Sequence, residues 1–176
     1  FKWSRTILSV PLSLGRAEGA LLGPLEGFLT DRLGSRRMVL IGLTMLGAGF
    51  VAFSFIDSII GYYAVFLVIF AGAGLGGFLP FITILNNWFL KHRSKAMGIG
   101  MLGVSLGGLL APVLGHVIET FGWRPAALWM GILVWVLAIP ISSAIRNRPE
   151  DYGQNPDGAP DLNSGIDSSI GAPHAP

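Results

Sequence analysis

Long apolar runs broken by short charged turns set the pattern of this chain. A helix needs about 20 mostly apolar residues to cross a hydrocarbon core about 30 Å thick. Five stretches meet or approach that length: residues 6–30, 38–56, 59–90, 96–118 and 125–145. The first is the least pure, since it holds Arg16, Glu18 and Glu26 together with Pro11 and Pro24. The third is longer than a straight span requires. That predicts a tilt, a bend near Gly76-Gly77 and Pro80, or an extension through Asn86, Asn87 and Trp88. Pro112 allows a bend in the fourth, and Pro125 suits the first turn of the fifth. The pattern predicts an all-α integral membrane fold, with about five transmembrane helices in residues 1–145.

Composition supports that class. Hydrophobic residues make up 52% of the chain and charged residues only 12%, about half the charge of an ordinary soluble domain. Such a chain cannot cover a globule of this size with polar side chains, so the lipid bilayer is its expected partner. A net charge of +2 gives no footprint for nucleic acid, and the absence of cysteine excludes thiolate metal sites and cysteine nucleophiles. No catalytic residue, cofactor or metal site is expected, because no nucleophile lies near a base. The chain opens on Phe1 with no basic-then-apolar leader, and reads as a piece of a longer protein.

The basic residues test this topology. Arg32, Arg36 and Arg37 follow the first segment, Lys91, Arg93 and Lys95 the third, and Arg146 and Arg148 the fifth. If all five segments cross, these eight share one side, against Lys2, Arg5 and Arg124 on the other. The asymmetry places the arginine-rich turns in the cytoplasm. After residue 145 the composition changes to acids, prolines, Gly, Ser and Asn. Residues 146–176 are therefore expected to form a disordered cytoplasmic segment.

The turn from Gly27 to Arg37 organises the rest. Gly34 can supply a left-handed position where the chain reverses, and Asp31 can cap or charge-match a nearby helix N-terminus. Gly27, Leu29, Asp31, Arg32, Gly34, Arg36 and Arg37 form a Gly-x-Leu-x-Asp-Arg-x-Gly-x-Arg-Arg turn between two spans. This resembles the signature loop between the second and third helices of the major facilitator superfamily. Ser35 departs from the commoner pattern, in which a basic residue follows the glycine. Asn87-Trp88-Phe89 with Lys91-His92-Arg93 and Ala96-Met97-Gly98 resembles that family's link between helices four and five. Phe121-Gly122-Trp123-Arg124 resembles the next external link. Trp3-Ser4-Arg5-Thr6 and Arg148-Pro149-Glu150-Asp151-Tyr152-Gly153 resemble the bacterial monocarboxylate or oxalate/formate branch.

The resemblance implies helices two to six of a transporter's N-terminal half, in a bacterial inner membrane, working by alternating access. The first helix and the C-terminal half would be partners outside this chain. The loop Gly27, Asp31, Arg32, Gly34, Arg36 and Arg37 would be a conformational latch, with Asp31 meeting a helix end of the opposite half. The implied function is secondary active transport of a small organic anion such as a monocarboxylate. The alternative is a truncated or structural membrane protein with no transport of its own.

Arg16 is the candidate substrate contact, because an unpaired cation inside a span is costly and guanidinium can grip a carboxylate by two parallel bonds. Glu18 lies two residues on and faces elsewhere, so it is a poor partner for Arg16 and has either a structural pairing or a water-filled pathway open to it. His116 and Glu119 can touch near a helix end, and interfacial polarity accounts for them. Gly72 and Gly76, and Gly103, Gly107 and Gly115, recur at multiples of four and are expected to let helices pack closely.

Overall fold

The computed structural model describes residues 5–147, apart from the side chains of residues 5–9 and 12; the expected tail from residue 148 onward, and Trp3, lie outside the described residues. The described residues form α1 (Arg5–Leu33), α2 (Ser35–Ser54), α3 (Ile59–Gly76), α4 (Phe78–Trp88), α5 (Arg93–Gly108), α6 (Ala111–Phe121) and α7 (Trp123–Ala144). Two of the five expected segments are thus divided. The third breaks at Gly77, whose φ of −108° and ψ of −109° are not helical. Pro80 falls in the first turn of α4, where its missing N–H costs no helical bond. The fourth breaks at Leu109–Leu110, with Pro112 opening α6. By length and composition, Ser35–Ser54, Ile59–Trp88, Arg93–Phe121 and Trp123–Ala144 can each cross a membrane. α1 spans 29 residues, with Arg16, Glu18 and Glu26 along its middle.

The packing inverts that of a soluble bundle. Buried positions on α2, α3 and α7 are mostly small, among them Gly42, Gly47, Gly49, Ala71, Gly72, Ala126, Ala127, Gly131 and Ala138. Large apolar side chains such as Leu21, Ile60, Leu109, Trp129 and Ile139 stand exposed. Water would not tolerate so much bare hydrocarbon, whereas lipid tails do. Between helices in lipid the gain comes from close van der Waals packing, which small residues permit.

α2 is central, flanked by α3 and α7, and α1 leans on α3. Gly42 lies against Gly76, Gly72 against Leu46, and Gly49 against Ile69, so α2 and α3 run antiparallel. α2 and α7 are antiparallel too: Gly47 faces Trp135, Val51 faces Gly131, and Phe53 meets Trp123 with ring centroids 5.5 Å apart. Trp135 fixes this register by donating its indole N–H to the Thr44 carbonyl at 2.9 Å. Gly72 and Gly76 thus sit at a close helix crossing. Gly103, Gly107 and Gly115 do not: among the described residues nothing lies within 4 Å of where their side chains would be. The reason is that α5 mainly meets α4, and α6 mainly meets α7, leaving most of both helices uncovered.

This register gathers the charged turns at two ends. At one end Arg124 pairs with Asp57 and donates to the Ile56 carbonyl at 3.1 Å, joining the α2–α3 turn to the start of α7. The arginine-rich turn after α1, the end of α4 and the end of α7 meet at the other end.

Candidate functional site

The arginine-rich end is built around Gly34. α1 continues through Leu33, so Asp31 and Arg32 belong to its last turn. Gly34 then takes φ +81°, a left-handed position that other residues adopt at a cost, and α2 starts at Ser35. Asp31 does not cap α2, contrary to the expectation from sequence. It remains helical, and Gly34, with no side chain to offer, occupies the cap position.

The missing cap comes from the far end of the chain. Asn147 accepts a hydrogen bond from the Arg36 backbone N–H through its Oδ1 at 2.8 Å. Arg36 is the second residue of α2, and its N–H is one of those a helix start leaves unsatisfied. The Asn147 amide lies where a Cβ on Gly34 would stand, 2.6 Å away at its Nδ2, so only glycine admits it. Asn87 donates from its Nδ2 to the Asn147 carbonyl at 3.2 Å, and the Trp88 indole N–H donates to the Arg146 carbonyl at 3.0 Å. Three helix ends are thereby tied together. Between them lies a small polar cavity of about 80 Å³ lined by Thr30, Asp31, Ser35, Thr83, Asn87 and Asn147. Arg146 and Asn147, expected to open a disordered tail, instead close this site.

Asn147→Ala should therefore cost about 0.5–2 kcal/mol, as loss of a helix cap does. For a chain of this size about 1 kcal/mol lowers the melting temperature by roughly 2–4 °C. Asn147→Asp, which keeps the acceptor and adds negative charge at a helix N-terminus, should recover most of that loss. Thermal melts of the three proteins in detergent check both outcomes.

The loop's charges are otherwise uncommitted. Asp31, Arg36 and Arg37 are exposed, and Arg32 lies with its guanidinium carbon 5.7 Å from the Phe28 ring centroid. Gly27 has open space around it, as does Gly23.

A second polar region lies along α1. Arg16 is exposed and has no hydrogen bond or ion pair among the described residues. Glu18 and Glu26, by contrast, turn toward α3. They line a cavity of about 280 Å³ with Gly15, Gly19, Phe70, Ala71, Ala73 and Gly74. Glu26 is only 6% exposed, and its carboxylate fits because position 74 has no side chain to displace it. The Oε2 of Glu18 is buried and unbonded. Arg16 and Glu18 face apart, as their two-residue spacing predicts, and Glu18 finds no structural pair among the described residues. His116 and Glu119 are both exposed on α6.

Sequence reasoning missed two residues here. Asn147 gives no local signal, because its partner is 111 positions away. Glu26 did carry one: positions 15, 19 and 26 fall on one helical stripe with 18 at its edge, and glycines at 15 and 19 make room for acids.

The Major Facilitator Superfamily model matches residues 1–173. The chain belongs to this superfamily. Monocarboxylate transporter 11 of Mus musculus is 34% identical over 110 residues, covering 61% of this chain and 24% of the relative. Monocarboxylate transporter 14 of Homo sapiens is 28% identical over 160 residues, 89% of this chain and 30% of the relative. The Oxalate:formate antiporter of Oxalobacter formigenes is 30% identical over 124 residues, 70% of this chain and 29% of the relative. The chain thus spans about a quarter to a third of the length of these relatives. As a superfamily chain made of long apolar helices, it is a multi-pass membrane protein, and its relatives are transporters.

Proposed function

We propose that this chain is part of a secondary active transporter that carries a small organic anion, such as a monocarboxylate, by alternating access. The observation that carries this reading is the kinship with proteins named for monocarboxylate and oxalate:formate transport, over a bundle whose basic turns gather at one end. The same gathering supports a cytoplasmic position for that end, by the positive-inside rule, and for the segment after Arg146. A bacterial inner membrane is the setting we propose.

In this reading the described helices are the second to sixth of an N-terminal half. Alternating access needs a second half to rock against the first, and the relatives are long enough to contain one. The loop Gly27–Arg37 serves as the latch between halves, with Asp31 as its charged contact. Arg16 serves as the substrate contact: its guanidinium is unpaired among the described residues and presents the fork that binds a carboxylate through two parallel hydrogen bonds.

The test is uptake of radiolabelled lactate, pyruvate, formate and oxalate by the intact protein in proteoliposomes. Saturable uptake of at least one, competed by the others, is the expected result. Arg16→Lys, which keeps the charge and loses the fork, should raise KM several-fold, a loss of about 1–2 kcal/mol. An intact protein that inserts correctly and moves none of these anions would support the structural alternative and sink the transport reading.

A further inference from the structure

A large apolar groove lies beside the basic turns, between α2, α4, α5 and α7. Its volume is about 720 Å³, within the roughly 300–1,000 Å³ of cavities that enclose small molecules. Val39 of α2, Phe78 and Phe81 of α4, Val104 of α5, and Ile141 and Ile145 of α7 line it. Gly100 and Gly103 complete the α5 wall. No lining side chain carries a polar atom, so the walls have nothing with which to hold a free anion or a sugar.

All the walls reach the groove from the arginine-rich end. Val39 lies three residues after Arg36, so the two are neighbours on one face of α2. Arg93, Met97, Gly100 and Val104 follow at steps of four, three and four, which puts Arg93 at the head of the α5 stripe that lines the groove. Arg146 directly follows Ile145. From Trp88 back to Phe78 α4 rises roughly 15 Å, and α5 rises roughly 16 Å from Arg93 to Val104. That is about half of a hydrocarbon core about 30 Å thick, the depth of one leaflet. A helix crossing the membrane would need twice that length, whereas an acyl chain of one leaflet matches it.

The mouth of the groove is strongly basic. Within the turns 31–37 and 91–95, and beside Arg146, Asp31 is the one acid. Arg36 and Arg93 are exposed, and their guanidinium groups make no hydrogen bond or ion pair among the described residues. Unpaired guanidinium groups above an apolar slot suit a molecule with a phosphate at one end and a hydrocarbon chain at the other.

We propose that this groove binds an anionic phospholipid such as phosphatidylglycerol, with one acyl chain in the slot and the phosphate held by Arg36 and Arg93. Basic pockets between membrane helices recognise such headgroups. The two ends of the site select differently. The apolar walls separate a lipid from a free phosphate, and the basic mouth separates an anionic lipid from a zwitterionic one, whose cationic headgroup the arginines repel. The site stands on the groove, its depth and the charge at its mouth, and does not depend on the transport reading.

Native mass spectrometry tests it, on the intact protein titrated in detergent with phosphatidylglycerol or phosphatidylcholine of equal chains. Phosphatidylglycerol should bind about tenfold or more tightly. Arg36→Gln and Arg93→Gln should each weaken its binding about fivefold and leave phosphatidylcholine unchanged. Arg36→Gln keeps the backbone N–H that Asn147 caps, so the helix start is preserved. Gly103→Leu should abolish the preference by filling the slot without removing a charge. Position 103 has open space for a side chain among the described residues, so this variant should melt as wild type does. Equal binding of the two lipids, or a preference that survives both arginine variants or Gly103→Leu, overturns the site. A sharply lowered melting temperature in Gly103→Leu would show that another segment of the intact protein fills the groove, and would overturn it too. Glycerol phosphate competing as strongly as the whole lipid would mark a free-phosphate site and remove the acyl-chain slot.

Discussion

Gly42→Leu is expected to leave no folded bundle. A Cβ at position 42 would overlap the backbone nitrogen and Cα of Gly76, and come within 2.7 Å of the Leu75 carbonyl carbon. These are backbone atoms, so no rotamer change can make way. Overpacking where side chains can shift costs about 1–3 kcal/mol. Here α2 must separate from α3, and Gly72 and Gly76 lose their contacts with Leu46 and Leu43 as well. The cost should therefore exceed about 3 kcal/mol, a large share of the 5–15 kcal/mol typical of a folded domain. Even Gly42→Ala should be strongly destabilising, since the first carbon already collides. The control is Gly98→Ala on α5, which has open space at that position and gains helix propensity of about 0.8–1 kcal/mol. Size-exclusion chromatography in detergent after a heating series separates the outcomes. Gly42→Leu should elute as aggregate before heating, while Gly98→Ala should match or outlast the parent. A monodisperse Gly42→Leu peak would show that the α2–α3 crossing is not what holds the bundle together.

That crossing also shows what the sequence could and could not convey. Glycines spaced by four announce a face that admits a close neighbour, and for Gly72 and Gly76 the neighbour is α2. The same spacing at Gly103, Gly107 and Gly115 meets open space among the described residues. Spacing describes a helix face but not what stands opposite it, so the two cases look alike in one dimension. Helix positions were legible because apolar length and charged punctuation are local properties. The breaks at Gly77 and before Pro112 were legible for the same reason. The capping of α2 by Asn147 was not, since it depends on α2 and α7 lying antiparallel in one register. That register is set by Gly47, Gly131 and Trp135 together, none of which is unusual alone.

The acids of α1 lie between these limits. Their presence in an apolar run was evident, and so was the inability of Glu18 to face Arg16. Which neighbour they would face depended on α1 lying alongside α3, with Gly15 against Phe70 and Glu26 against Gly74. Arg16 and the two glutamates, three charges on one helix, thereby fall to different surroundings: Arg16 exposed, Glu18 half-buried and Glu26 buried. A helix with charge on two faces is poorly suited to lipid on all sides, which explains why α1 reads as the least pure of the five segments.

Asp31→Asn should slow anion transport by the intact protein about tenfold or more while leaving its folding intact. The two halves of that expectation come from the same geometry. Asp31 is exposed and makes no hydrogen bond or ion pair among the described residues, so its charge holds nothing together within this bundle. It also sits in the last turn of α1, where the helix dipole disfavours an acid by about 0.3–1 kcal/mol. Neutralising it should therefore stabilise the bundle slightly. Under the transport reading proposed above, its role is a contact with the opposite half of the transporter, made in only one state of the cycle. A hydrogen bond to a charged group contributes about 1.5–3 kcal/mol, and its loss shifts the balance between two states by about ten- to a hundredfold. Such a shift strands the transporter on one side of the membrane and lowers the rate of turnover rather than the affinity for substrate. Initial uptake rates at matched amounts of monodisperse protein, read beside melting temperatures, separate this from misfolding. An unchanged rate would remove Asp31 from the latch, whereas a lower melting temperature with a proportionate loss of transport would make it a structural residue instead.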